Sequence, residues 1–329
     1  MRSLSRSLLR ILAATSAALA VLLGLAAAAV TQPTFRALPV VKGLSADPDR
    51  LRRHVETLAG ILPRDGDHPE GLERAAAYIR GVYGRTGARV QDQAFTVRGR
   101  TYRNLIASFG PETGPLLVVG AHYDAFGDFG PNPGADDNAS GVAGLLELAR
   151  LLDGRRLLSR VELVAYPNEE PPWFGSPWMG SAVHARSLKG RDVRGMICLE
   201  MIGYFTETQP APNALFRLLY PKRGNFIAVA GRWSDRALTR YVKRAILATG
   251  FPARSFTAPR DAGIDASDQR SYWDQGIPAV MVTDTADIRN PHYHAPEDTA
   301  GTLDYGRMAG VVGGVANAVV SAVAFSHHS

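Results

Sequence analysis

Residues 116–124 read LLVVGAHYD. Six apolar or glycine residues run without a charge into a histidine and an aspartate two positions apart. A short, continuously apolar run is what a strand covered on both faces requires. Its polar end marks where that strand leaves the sheet. Four further segments put acidic or imidazole side chains after hydrophobic runs: 134–141 (GADDNASG), 161–170 (VELVAYPNEE), 196–203 (MICLEMIG) and 291–299 (PHYHAPEDT). In an open α/β sheet, ligands bind outside the carboxyl ends of the strands. Five such segments point at one cleft, and their side chains describe a metal site.

Outward from residues 116–121, helices and strands alternate. Upstream, Ser45 is placed to cap a helix running to about Ile61, and 68–84 carries the apolar period of a second helix. Residues 90–97 and 102–109, separated by Arg98-Gly99-Arg100, read as a hairpin. Downstream come helix 138–152, strand 161–166, helix 179–188 and strand 195–199. Strand 225–230, a helix over 234–249 capped by Ser234, and strand 278–283 follow. Gly and Ala interrupt the apolar tail 308–325, which reads as a C-terminal helix packed on the sheet rather than a membrane span. A hairpin leading into βα units gives an α/β fold: a mixed, mostly parallel central sheet with helices on both faces.

With 46% hydrophobic and 21% charged residues, the chain has ample material for a large core. The net charge of +6 arises from scattered arginines with no basic stripe interleaved with aromatics, which argues against a nucleic-acid partner. The single cysteine, Cys198, excludes an internal disulfide and any cysteine-based zinc finger. It lies in an apolar run and reads as a small buried hydrophobe. Arg2, Arg6 and Arg10 precede an uncharged run over 11–30, long enough to span a bilayer. Basic residues on that side put the N-terminus in the cytoplasm and the rest outside. Ala27-Ala28-Ala29 also offers a small-residue cleavage site. Residues 1–30 are thus a signal peptide or a signal anchor, 31–44 a linker, and 45–329 a single catalytic domain. The domain is expected to be extracytoplasmic: periplasmic, secreted or membrane-anchored.

His122 and Asp124 have the spacing of an imidazole ligand and the carboxylate that orients it. Asp136 and Asp137 sit in a small-residue turn where a carboxylate could bridge two cations, or where Asp137 or Asn138 could simply cap the next helix. Glu169 and Glu170 follow an apolar strand and precede Pro171-Pro172, which keeps them out of a long solvated helix. Adjacent carboxylates there can divide the work, one binding metal and the other taking a proton. Glu200 ends another apolar strand, where a carboxylate is costly unless paired or bound to metal. His294 supplies a second imidazole. Two histidines with three carboxylates favour Zn²⁺, with Mn²⁺ or Co²⁺ as substitutes.

The motifs HYD, ADDNASG, NEE followed by MGS, SDQ with GIPAV, and YHAPEDT resemble those of the co-catalytic zinc metallopeptidases. That family includes aminopeptidase Y, bacterial leucyl aminopeptidases, glutamate carboxypeptidase II and glutaminyl cyclase. The resemblance covers roughly 45–325 and implies the phosphorylase/hydrolase-like sheet of zinc peptidases. It implies two zinc ions: one held by His122 and Glu200, the other by Glu170 and His294, with Asp137 bridging them. Glu169 is similar to the general base that acts on a metal-bridging water. Tyr293 matches a phenol that helps polarise the scissile carbonyl. Asp124 resembles the partner of His122, and Asp268 belongs to a matching motif beside the site. The chain departs from the family in having Glu200 where many aminopeptidases have Asp, and Gln269 where His is common. Trp173, Phe174, Trp178, Tyr204 and Phe205 are candidates to line an apolar side-chain pocket.

The function these residues imply is an exported zinc aminopeptidase acting on peptides. The same scaffold serves a glutamate-carboxypeptidase-like dipeptidase or a single-zinc glutaminyl cyclase, and a non-catalytic membrane-anchored binding module is the remaining reading. Release of amino acids from unblocked peptides, loss of ammonia from an N-terminal glutamine peptide, and failure to bind metal distinguish the three classes.

Overall fold

Apolar side chains alternate between two faces along every central strand, and each face has its own layer of helices. The computed structural model describes residues 2–35, 38–127, 130 and 132–322. Its strands are β1 (Arg89–Val97), β2 (Arg100–Phe109), β3 (Leu116–His122), β4 (Arg160–Tyr166), β5 (Val193–Leu199), β6 (Ile227–Arg232), β7 (Ala253–Ala258) and β8 (Ala279–Thr283). The helices are α1 (Arg2–Thr31), α2 (Pro48–Ala59), α3 (Pro69–Tyr83), α4 (Gly141–Leu152), α5 (Gly180–Ser187), α6 (Ala214–Leu219), α7 (Arg236–Ala248), α8 (Gln269–Trp273) and α9 (Tyr305–Val320). Leu117, Val119 and Ala121 of β3 join α2, α3, α4, α7 and α9 in the larger core. Leu116 and Val118 face the other way and pack with Ala185 of α5 and Tyr272 and Trp273 of α8.

The eight strands run in the order β1-β2-β4-β3-β5-β8-β6-β7. β4, β3, β5 and β8 form a parallel block. The β1–β2 hairpin joins it antiparallel through β4 on one side, and β6, paired with β7, joins it antiparallel through β8 on the other. The chain leaves β3 for β4 on one side and then crosses to β5 on the other. Its direction of travel reverses there, which makes the carboxyl ends of β3 and β5 a topological switch point. The expected mixed, mostly parallel α/β sheet with helices on both faces is what forms.

Several local expectations shift. Asp47, not Ser45, caps α2: its carboxylate accepts from the backbone N–H of Asp49 and Arg50, and Pro48 fixes the first helical residue. Likewise α7 begins at Arg236 after a tight turn at Trp233–Asp235, so Ser234 does not cap it. The helix expected from 138 begins at Gly141, because Asp137 and Asn138 leave helical geometry to serve the site. In the hairpin turn, Arg98 and Gly99 both have positive φ, the two-residue turn whose twist matches paired strands. Strand β7 and the short helices α6 and α8 were not expected from sequence. Of the tail read as helix over 308–325, residues 323–325 lie outside the described residues.

Candidate metal centre

Each polar group of the centre sits where an element ends. His122 is the last residue of β3, Glu169 and Glu170 lie just past β4, and Glu200 immediately follows β5. The turn at Ala135–Ser140 carries Asp137, and the loop after β8 carries Tyr293 and His294. Non-glycine residues with left-handed backbone stand in three of these loops: Asn168 (φ 62°), Met201 (φ 50°) and His294 itself (φ 56°). Such strain persists only where surrounding contacts fix it, and it gathers at functional sites. Here it turns the chain sharply so that carboxylates and imidazole face inward.

Asp137 stands at the middle of the cluster. Its Oδ1 lies 3.2 Å from His122 Nε2, and its Oδ2 lies 3.2 Å from His294 Nε2. Glu200 Oε2 is 3.4 Å from His122 Nε2, and Glu170 Oε2 is 3.4 Å from His294 Nε2. Glu169 Oε2 approaches His122 Nε2 to 3.8 Å. Ligand atoms of His122, Asp137 and Glu170 all lie within 4.8 Å of one another. The five residues expected as metal ligands therefore converge, with Glu169 beside them.

A surrounding layer fixes these orientations. Asp124 offers its backbone carbonyl 3.2 Å, and its carboxylate 3.4 Å, from His122 Nδ1, and accepts the Glu170 backbone N–H at 3.0 Å. Glu200 Oε2 accepts from the Ser267 hydroxyl and, at 3.3 Å, from Asn138 Nδ2. Asn138 Oδ1 also accepts from the N–H of Gly141 and Met201, tying the turn to the end of β5. Ser140 stands at the N-cap of α4 without a side-chain cap bond, and Asn138 takes the N–H of the helix's first residue while Asp137 is left to the cluster. Asp298 accepts the backbone N–H groups of Asp136 and Asp137 at 2.9 and 3.0 Å. Asp136 in turn accepts from the Gly203 N–H and from Asn290 Nδ2. Buried Arg64 donates to the carbonyls of Leu58, Tyr123, Pro133 and Gly134, bracing both loops from below.

Sequence reasoning did not single out Arg64, Ser267, Asn290 or Asp298 for these roles. Asp298 had a visible signal in the acidic end of YHAPEDT. Ser267 opens the SDQ motif, whereas Arg64 and Asn290 bind through tertiary contacts that no local pattern records.

The electrostatics ask for a cation. Burial pushes the Glu169 carboxyl well above its ordinary range, Glu170 to about 7, Asp268 to about 7 and Asp298 to about 7. Burial acts the same way on Asp137, but the two imidazoles facing its oxygens overcome it and hold that carboxyl well below its usual value. Burial alone would lower the proton affinity of His294, yet Asp137 and Glu170 raise it to about 10. Buried carboxylates at this density are costly unless a positive charge is shared among them. His122 Nε2 and Glu170 Oε1 are fully buried and have no hydrogen-bond partner among the described residues. An imidazole nitrogen and carboxylate oxygens left open toward one point fit a zinc ion.

The remaining expected residues fall as follows. Tyr293 is part-exposed and stacks on the His294 ring, with centroids 3.8 Å apart. Asp268 is fully buried, and neither of its oxygens has a hydrogen-bond partner among the described residues. Gln269 donates to the Ile264 carbonyl, so its amide serves the loop rather than the cluster. Of the five aromatics expected to line an apolar pocket, Phe174 and Trp178 are exposed and Tyr204 meets His292 edge-on. Trp173 packs edge-on against Tyr102 and Phe205 against Phe251, both as core contacts. A mostly apolar cavity of about 670 Å³ lies instead over β6, β7 and β8, walled by Phe216, Phe256, Ile264, Ala266 and Met281. Its wall residue Ala266 precedes Ser267, whose hydroxyl donates to Glu200, although none of the cluster residues lines the cavity.

Residues 104–319 match the family described as Peptidase family M28. The chain is 48% identical over 295 residues to the uncharacterized protein YfbL of Escherichia coli (strain K12), covering 86% of this chain and 91% of that protein. It is 28% identical over 217 residues to leucine aminopeptidase 1 of Ajellomyces capsulatus, covering 62% of this chain and about half (52%) of that relative. Among solved structures, a leucine aminopeptidase precursor from Bacteroides thetaiotaomicron has a TM-score of 0.65 at 20% identity, covering 84% of this chain and 98% of that one. A glutaminyl cyclase from the same organism has a TM-score of 0.65 at 19% identity, covering 84% and 98%. At that identity the superpositions establish a shared fold.

Proposed function

The chain belongs to peptidase family M28 and is a metallo-exopeptidase, and on that premise we propose that it is a zinc aminopeptidase with two ions per chain, removing N-terminal residues from peptides. The observation that carries this reading is Asp137, whose two oxygens point to different imidazoles. Each imidazole has its own further carboxylate, Glu200 for His122 and Glu170 for His294. Five donor groups exceed by one what a single tetrahedral zinc takes from protein.

Zinc supplies Lewis acidity, polarising a carbonyl and lowering the pKa of water toward neutrality. The chain's own groups do the rest. Asp124 holds His122 by Nδ1, which leaves Nε2 as the free donor. Glu169, buried and with a raised proton affinity, takes the proton from the attacking water and returns it to the leaving amine. Tyr293 turns its phenol toward the scissile carbonyl and stabilises its developing negative charge. Glu169 or Glu200 holds the free α-amine of the substrate, which confines cleavage to the first residue. The apolar cavity walled by Ala266, next in sequence to the Glu200 partner Ser267, receives the side chain of the substrate's first residue, which favours large apolar termini. Residues 45–329 act as one catalytic domain. The apolar helix α1, with an uncharged stretch preceded by arginines, supports export of that domain.

Metal analysis of the purified protein, with a panel of aminoacyl amides, tests the reading. Close to two zinc ions per chain and preferential release of leucine- or phenylalanine-type residues are expected. A single zinc at saturating metal, with ammonia lost from an N-terminal glutamine peptide, would replace it by cyclisation.

A further inference from the structure

Helix α1 meets the domain through a built polar joint. Within residues 10–31, an 18-residue stretch has a mean hydropathy of 2.2 and none of it is buried. At ~1.5 Å per residue this length spans the ~30 Å hydrocarbon of a bilayer. The last carbonyls of a helix lack partners within it, and here the domain provides them. Thr257 Oγ1 on β7 donates to the Ala29 carbonyl, and Ser255 Oγ donates to that of Thr31 at 2.6 Å. Lys243 Nζ on α7 donates to the carbonyls of Thr31, at 3.0 Å, and Gln32. Its charge also suits the negative end of the helix dipole. Gln32 Nε2 donates to Thr257 Oγ1 at 3.2 Å, and Arg240 donates to Gln32 Oε1 at 3.2 Å.

Two consequences follow from that joint. The small-residue stretch Ala27-Ala28-Ala29, which would suit a signal peptidase, is helical and tied to the domain at Ala29. Cleavage after Ala29 would take from buried Thr257 the carbonyl it now holds, and would cut the helix between that bond and the Thr31 and Gln32 carbonyls held by Ser255 and Lys243. Leaving buried donors unpaired is a cost that folded proteins avoid. The second concerns level. Half-exposed Trp233 donates its indole N–H to the carbonyl of Thr257, the residue whose hydroxyl holds Ala29. Its ring therefore stands beside the end of the apolar span, with the exposed residues Arg240 and Arg254 nearby on α7 and β7. Indoles favour the membrane interface, and arginines favour anionic headgroups.

We propose that α1 is a retained membrane anchor locked onto α7 and the edge strand β7, which sets Trp233, Arg240 and Arg254 at the level of the lipid headgroups. This does not depend on the peptidase reading. The occupant of the exposed α1 surface is the bilayer hydrocarbon.

The full chain with a C-terminal tag, expressed in a bacterium, tests the anchor. It is expected to resist alkaline carbonate extraction from membranes and to give an intact mass that includes α1. A soluble product beginning within or just after residues 27–32 would overturn retention. A soluble, uncleaved oligomer would also overturn it, because α1 would then be covered by other copies. The joint is tested by reconstituting the purified full chain into vesicles of phosphatidylcholine and phosphatidylglycerol carrying a headgroup-level quencher. Tryptophan fluorescence should be quenched, and Trp233→Phe should lose at least half of that quenching without loss of peptide hydrolysis. Equal quenching in both proteins, or none in either, would overturn the docked arrangement.

Discussion

Glu169 and Glu170 are covalent neighbours in different surroundings. The left-handed backbone at Asn168 sends the two side chains apart. Glu170 lies 3.4 Å from His294 and hangs from Asp124 by its backbone N–H, whereas Glu169 lies nearer His122. Glu169→Gln keeps size and hydrogen bonding but removes the base, so zinc content should persist while kcat falls about 10²-fold or more. Glu170→Gln should instead weaken zinc binding, and excess zinc should restore part of that loss but none of the first. A swapped pattern would reverse the assignment within the pair; full activity and full metal in both would move the site elsewhere. His294 gives a second residue-level test. Asp137 and Glu170 raise its pKa to about 10, so at pH 8 the metal-free protein carries the imidazolium, and only the neutral ring binds zinc. Zinc added to chelator-stripped protein at pH 8 should release about one proton per chain from this residue, beside that of His122, whose proton affinity Glu200 and Glu169 likewise raise against its burial. Calorimetry in buffers of different ionisation enthalpy counts it, and a count of zero would remove His294 from the ligand set.

At the scale of elements, the turn at Ala135–Ser140 is held by a residue far away in the chain. Asp298 accepts two successive N–H groups there, one of them that of Asp137. An amide at 298 offers one oxygen in place of two and turns its own N–H₂ toward a donor. Asp298→Asn should therefore cost about 1–3 kcal/mol, the usual penalty for a buried donor left unpaired. Chemical denaturation should show that loss together with weaker zinc binding; an unchanged midpoint would mean the turn holds without it. The cap of α2 is a smaller test: Asp47→Ala should lower the denaturation midpoint by less than Asp298→Asn does. These elements also mark what the sequence could disclose. Hairpin, buried strands and long amphipathic helices were legible because local period and turn chemistry determine them. Strand β7 (ARSFTA) was not, since it is short and half polar. The start of α4 was misread because the site overrides helical preference at Asp137 and Asn138. The residues of the candidate metal site stand in motifs at strand ends, but Arg64 and Asn290 act through contacts that only the folded chain creates.

For the molecule as a whole, the strand order is the least local property and the most consequential. Nothing in residues 116–124 states that β3 sits between β4 and β5. That arrangement brings His122, the Glu169–Glu170 pair and Glu200 to one rim, and the turn before α4 and the loop after β8 close over it. Groups from five separate segments then share one charge centre, so metal binding and global stability are linked. A ligand that binds only the folded state stabilises it by about 4 kcal/mol at a thousand-fold excess over its Kd. At roughly 2–4 °C per kcal/mol for a domain of about this size, stripping the metal should lower Tm by on the order of 10 °C. Unfolding should remain a single transition, because the larger core runs continuously from α2 to α9 along one face of the sheet. Glu169→Gln, which leaves the ligands in place, should show the same chelator-induced drop as the unaltered protein, while Glu170→Gln should show a smaller one at matched zinc concentration. Thermal scans with and without chelator measure both, and identical Tm values in the two conditions would mean that the five segments do not hold a metal in common.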